Sequence, residues 1–197
     1  MQVEETSLPG VFILSPKVFG DARGFFMESF NQKAFEEATG CKREFVQDNH
    51  SRSRQGVLRG IHYQLEQPQG KLVRVTQGSV WDVAVDLRRH SAHFGQWVGV
   101  ELSADNNRQL WVPEGFGHAF VVLSETADFL YKTTDYYHPE SERCIRFDDP
   151  ELAIEWPTLP VEIALSEKDQ AGSQLSEAEV YEWRLICAAD SRSISCE

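Results

Sequence analysis

No apolar run in the chain approaches the ~20 residues that a membrane-spanning helix needs, so no membrane partner is expected. Positive charge is scarce: 19 Lys and Arg face 31 Asp and Glu, for a net charge of −12. That balance argues against a general nucleic-acid binder, whose phosphate contacts require a basic face. Cysteine is sparse and scattered. Cys41, Cys144, Cys187 and Cys196 share no Cys-x-x-Cys spacing, which argues against a disulfide scaffold or a zinc knuckle and leaves reduced thiols as the expectation. The N-terminus lacks a basic stretch followed by an apolar one, so no secretory signal is expected and the expected compartment is the cytoplasm. No internal repeat, low-complexity tract or Gly/Ser linker divides the 197 residues.

What is present is a globular composition, 41% hydrophobic and 11% aromatic, in a chain long enough to bury roughly 70% of its unfolded surface. Short apolar-rich runs follow one another at 11–14, 24–30, 44–51, 57–64, 71–76, 78–86, 97–102, 108–112, 118–123 and 127–134. In the run at 78–86, Val80, Asp82, Ala84 and Asp86 face one way and Trp81, Val83, Val85 and Leu87 the other, the period of a half-buried strand. Turn residues at 68–70, 77–78, 104–107 and 113–117 separate the runs, a pattern that predicts an antiparallel sandwich or barrel. Helices are few. One is predicted at 31–39, capped by Asn31, with Phe35 and Ala38 apolar and Gly40 as its stop. Another is predicted at 176–186 from Ser176 and Glu179, and a miniature version of that capping pattern spans 166–169. One domain over 1–187 is expected, followed by a loosely held tail at 188–197.

Two clusters carry chemistry. Gly56 is followed after five residues by His62, with Gln64 next but one. Pro113-x-Gly115 is followed after two residues by His118. These resemble the two motifs of cupins, small jelly-roll barrels whose metal site uses three His and one Glu. Here Gln64 replaces the second His and no Glu follows it, so only His62 and His118 remain of the four. Two imidazoles do not hold a divalent ion tightly, so the site is read as metal-free and His62 as free to act as a base.

A lone His in a strand is more often a hydrogen-bonded core residue than a catalytic one. Arg59, Lys71, Gln47 and Asn49 change that balance, because polar groups gathered on buried runs are costly unless they meet a ligand, each other or water. Gln47 and Asn49, two apart, share a face. Strict alternation separates Arg59 from His62, so a bulge near Gly60 is required to unite them. Asp169 reads equally as a carboxylate that caps backbone amides. Arg23 and Glu28 read as a surface pair or as a phosphate site, and Tyr131, Tyr136 and Tyr137 as ordinary strand and turn aromatics.

The chain is more specifically similar to the dTDP-4-dehydrorhamnose 3,5-epimerase family. Six ordered blocks carry the resemblance: Asp21-Ala-Arg-Gly-Phe-Phe, Phe45-Val-Gln-Asp-Asn-His-Ser, Val57-Leu-Arg-Gly-Ile-His-Tyr-Gln, Gly70-Lys-Leu-Val-Arg-Val, Val112-Pro-Glu-Gly-Phe-Gly-His-Ala-Phe and Leu165-Ser-Glu-Lys-Asp. It covers residues 8–169 and implies a mainly β, antiparallel jelly-roll (cupin) barrel with a few short helices. It also implies inversion of C3 and C5 of dTDP-4-dehydro-6-deoxy-D-glucose without a cofactor. By resemblance His62 is the base, Asp169 orients it, Tyr131 delivers a proton from the other side and Lys71 stabilises the enolate oxygen. Asp82 is expected beside Lys71. The family's nucleotide contacts fall on Arg23, Phe26, Glu28, Gln47, Asp48, Asn49, Arg59, His118, Glu142 and Lys168, with Phe26 and an aromatic of Tyr136 and Tyr137 around the thymine. The Arg23–Glu28 segment crosses to a partner subunit in that family, which implies a homodimer. The competing expectations are a single-site epimerase or ketoisomerase, a metal-dependent cupin, and a non-catalytic sugar-nucleotide binder.

Overall fold

A computed structural model of the chain describes residues 1–182, so the tail at 188–197, Cys187 and Cys196 lie outside the described residues. Strands β1 (Gln2–Glu5), β2 (Phe12–Ser15), β10 (Gln109–Val112), β7 (Lys71–Gln77), β12 (Thr126–Thr133) and β5 (Gln47–Arg54) form a six-stranded sheet in that order. Strands β13 (Glu142–Cys144), β6 (Leu58–Gln64), β11 (Phe116–Val122), β8 (Ser79–Asp86) and β9 (Trp97–Ser103) form a five-stranded one. Every ladder in both sheets is antiparallel. Among the described residues, strands β3 (Val18–Asp21) and β4 (Gly24–Met27) pair only with each other, as a separate hairpin.

The sheets pack face to face as a jelly roll. Val73, Val75, Leu110, Val112 and Phe129 of one meet Val80, Ala84, Val100, Leu102 and Phe120 of the other in a shared apolar core. The inward set of β8 is the predicted one: Val80, Asp82, Ala84 and Asp86 are all buried. The strand is not half-buried, however, because Val83, Val85 and Leu87 on its other face are covered by Ile145, Leu152, Leu175, Val180 and Tyr181 from the C-terminal segment. Such long-range cover leaves no trace in local alternation.

Helix α1 (Gln32–Thr39) forms where Asn31 and Gly40 bracket it: the Asn31 side chain accepts the Ala34 amide, and Gly40 takes φ 71°. Its buried Phe35 packs edge-on to Trp111 and Phe45 and covers the outer face of the six-stranded sheet. Helix α2 (Glu167–Gln170) is the short element announced at 166–169, with Ser166 as its cap. Over 176–182 the helix predicted at 176–186 does not form, and 183–186 lie outside the described residues. A single 3-10 turn, Leu175–Glu177, gives way to extended chain in which Tyr181 bridges to Arg88 and donates its hydroxyl to the Gln64 carbonyl at 2.6 Å. Burial of Ala178, Val180 and Tyr181 fits no helical period, and packing overrides the capping signature. Among the described residues no helix is long and apolar enough to cross a membrane.

Candidate active site

The site begins with an extra residue in β6. His62 lies opposite His118 and Arg59 opposite Phe120, so three steps on β6 match two on β11. This is a bulge, and Gly60 at its centre takes φ +117°, a backbone conformation that side chains disfavour. A Cβ there would lie 2.5 Å from the His118 carbonyl oxygen. The expected bulge therefore exists and brings Arg59 and His62 onto one inner face.

Register supplies the rest of that face. Asn49 lies opposite Tyr131 and Gln47 opposite Thr133, which is itself opposite Lys71. On the other sheet Glu142 lies opposite Gln64, and Cys144 opposite His62. Cross-strand partners share a face, so all of these side chains converge on one end of the barrel.

His62 and Asp169 form its centre. His62 Nε2 meets Asp169 Oδ1 at 2.6 Å, and the Gly60 amide donates to the same oxygen at 3.3 Å. The Ser166 hydroxyl donates to Oδ2 at 2.6 Å. Asp169 thus does more than cap the short helix that carries it. Burial opposes its ionisation, but the hydrogen bonds from His62 and Ser166 prevail and hold its pKa down to about 2. An ionised Asp169 requires the proton on Nε2, which leaves the lone pair of neutral His62 on Nδ1. Burial also lowers the pKa of His62 below its ordinary 6.5, against the pull of Asp169.

Around this pair, burial lowers Lys71 to about 8, with Glu142 and Asp82 opposing the shift. Lys71 has no hydrogen-bond partner among the described residues. The expected contact of Asp82 with Lys71 is replaced by another. Asp82, fully buried, bonds His118 Nε2 through both carboxylate oxygens at 3.0 Å, because alternation on β8 and β11 stacks the two side chains inside the barrel. Burial raises the pKa of Tyr131, helped by Glu142, so this residue keeps its proton at neutral pH.

Lys168 pairs with Glu142, which accepts the Tyr137 hydroxyl at 2.7 Å. The Tyr137 amide in turn donates to Gln47, whose Nε2 donates to Asn49 Oδ1 at 3.0 Å. Asn49 Nδ2 and Ser51 Oγ are buried without a partner, polar groups that only a ligand or water would satisfy. Arg59, at the exposed rim, donates to Ser53 Oγ at 3.1 and 3.2 Å.

Four of the residues singled out from sequence are not brought to this face. Asp48 points to the opposite side of β5, where it pairs with Lys132 at 2.8 Å. Arg23 forks onto Asp21, and Phe26 is 70% exposed on the separate hairpin. Glu28, just beyond that hairpin, accepts from Asn31 at 3.2 Å. Sequence reasoning missed Ser53 at the rim and Cys144 beside the His–Asp pair, and it gave Ser166 no role beyond capping. Only Ser166 carried a local signal, its position three residues before Asp169.

The fold and these groups define a cupin-type enzyme, a jelly roll that holds a buried His–Asp pair among polar side chains at one end. Residues 5–177 match the family model described as dTDP-4-dehydrorhamnose 3,5-epimerase. The enzyme of that name from Pseudomonas aeruginosa is 60% identical over 181 residues, 92% of this chain and 99% of its own length. A Legionella pneumophila 3,5-epimerase solved with dTDP-4-keto-L-rhamnose superposes with a TM-score of 0.91 at 53% identity, over 93% of this chain and 98% of that one. A 3'-monoepimerase from Streptomyces bikiniensis, solved with dTDP-quinovose, gives 0.82 at 33% identity, over 87% and 86%. The chain belongs to the dTDP-4-dehydrorhamnose 3,5-epimerase family, and its activity is epimerisation in the dTDP-rhamnose pathway.

Proposed function

We propose that the cavity around His62 inverts C3 and C5 of dTDP-4-dehydro-6-deoxy-D-glucose by proton transfer alone. Both carbons neighbour the C4 ketone, so loss of either proton yields an enolate. His62 Nδ1 takes the proton, and the electron pair passes to the C4 oxygen beside the Lys71 ammonium. Tyr131 returns a proton to the opposite face of the sugar. His62 then gives its proton to water and Tyr131 regains one, so each inversion closes on itself. Asp169 holds the tautomer and supports the imidazolium. A positioned acid or base contributes about 10²–10⁴-fold, and an oxyanion partner about 10²–10³-fold.

The observation that carries this reading is the 2.6 Å His62–Asp169 contact inside a polar cavity. For the substrate's nucleotide end, Gln47, Asn49, Arg59, His118, Glu142 and Lys168 serve from this chain. Arg59 is suited to the diphosphate by its guanidinium fork. Arg23, Phe26 and Glu28 serve from a second copy, because the β3–β4 hairpin pairs with no other strand here and leaves its phenylalanines exposed. The functional unit is thus a homodimer, and reduced Cys41 and Cys144 suit the cytoplasm.

Proton NMR of the substrate with EDTA-treated protein in D₂O tests the reading. Deuterium is expected at both C3 and C5, and none with His62→Ala. Label at one carbon would favour the monoepimerase reading, which the 33% relative motivates. Binding without exchange would leave a sugar-nucleotide binder or a metal-dependent cupin.

A further inference from the structure

Cys144 has no part in the acid–base scheme, yet it sits against its centre. It projects from β13 opposite His62, and its sulfur, a His62 ring nitrogen and an Asp169 carboxylate oxygen all lie within 4.8 Å of one another. Three segments distant in sequence thus deliver a thiol, an imidazole and a carboxylate to one point. This donor set suits a borderline-soft divalent cation, with one coordination position left open. Two zinc–ligand bonds span at most roughly 4.6 Å, so a few tenths of an ångström of movement would close all three donors on one ion. The nearby Lys168 ammonium is offset by its ion pair with Glu142.

We propose that His62, Cys144 and Asp169 form an inhibitory site for Zn²⁺ and like cations. Asp169 lies against Nε2, so that is the nitrogen a cation shared with Asp169 takes. The bookkeeping of protons is then fixed. The Cys144 thiol releases its proton to solvent as the metal–sulfur bond forms. The imidazole proton moves from Nε2 to Nδ1, and nothing is oxidised or reduced. Nδ1 loses its lone pair, and the base is gone while the ring stays neutral. The inhibitory half of the inference rests on His62 being the base; the binding half does not.

Two readouts on the EDTA-treated full chain separate these halves. Cd²⁺ titration should produce a thiolate-to-metal charge-transfer band in the near ultraviolet, and Cys144→Ser and Cys144→Ala should each lose that component while the other thiols remain. Zn²⁺ should slow deuterium exchange into substrate by ~100-fold or more, the lower end of what a positioned base supplies. Excess EDTA should reverse it. Both Cys144 variants should exchange normally without metal and resist Zn²⁺. A full Cd²⁺ band in both variants, or equal inhibition of them by Zn²⁺, would overturn the site. A band that depends on Cys144 without any inhibition would support the site and overturn His62 as the base.

Discussion

At Asp169 both carboxylate oxygens are engaged, one by His62 and the Gly60 amide, the other by Ser166. Replacing Asp169 by Asn frees the imidazole to adopt the wrong tautomer, and exchange should fall about 10²–10⁴-fold. Ser166→Ala removes a helix cap and one anchor of the carboxylate. It should lower kcat several-fold with KM little changed, and a rise in KM alone would contradict a positioning role. The pH profile follows from the same residues. In the proposed scheme His62 is a base only when neutral, and burial keeps its pKa below 6.5, so kcat/KM should hold down to mildly acidic pH and fall only below that value. The same scheme needs Lys71 protonated, and burial brings its pKa to about 8, so activity should fall as pH rises through that region. Lys71→Arg should move the alkaline limb upward; an unmoved limb would assign it to another group.

At the scale of elements, the bulge in β6 joins sequence to site. Gly60 sits at φ +117°, with no room for a Cβ beside the His118 carbonyl. Gly60→Ala should cost about 1–3 kcal/mol of stability, read from a urea midpoint, and should weaken exchange by displacing His62. Strict alternation sets Arg59 and His62 on opposite faces, so at the level of sequence the bulge is an assumption needed to unite them, and the β6–β11 register supplies it. Helix α1 was legible, because Asn31, Phe35 and Gly40 are local signals of start, face and stop. The segment after residue 175 was not. Its course is decided by Tyr181 reaching Gln64, more than a hundred residues back in the chain, and no local pattern encodes such a contact. Cys144 was hidden for the same reason: it meets His62 only through the pairing of β13 with β6.

At the scale of the whole molecule, the β3–β4 hairpin stands out. An isolated two-stranded hairpin is marginal in water, yet this one exposes Phe19 at 54%, Phe25 at 66% and Phe26 at 70%. A chain of net charge −12 repels its own copies at long range, so association must come from short-range apolar burial such as these rings offer. A second copy that covers the hairpin would also receive Arg23 beside its diphosphate site. In the proposed dimer, Phe26→Asp would place a charge in that contact while leaving the barrel, His62 and Asp169 untouched. Light scattering should then report a dimer for the unaltered chain and a monomer for the variant. The urea midpoint of the barrel should stay close to that of the separated subunit. Substrate KM should rise steeply, since the nucleotide end loses contacts that a single chain does not supply. A variant that stays dimeric with an unchanged KM would mean that the hairpin neither joins the subunits nor reaches the substrate.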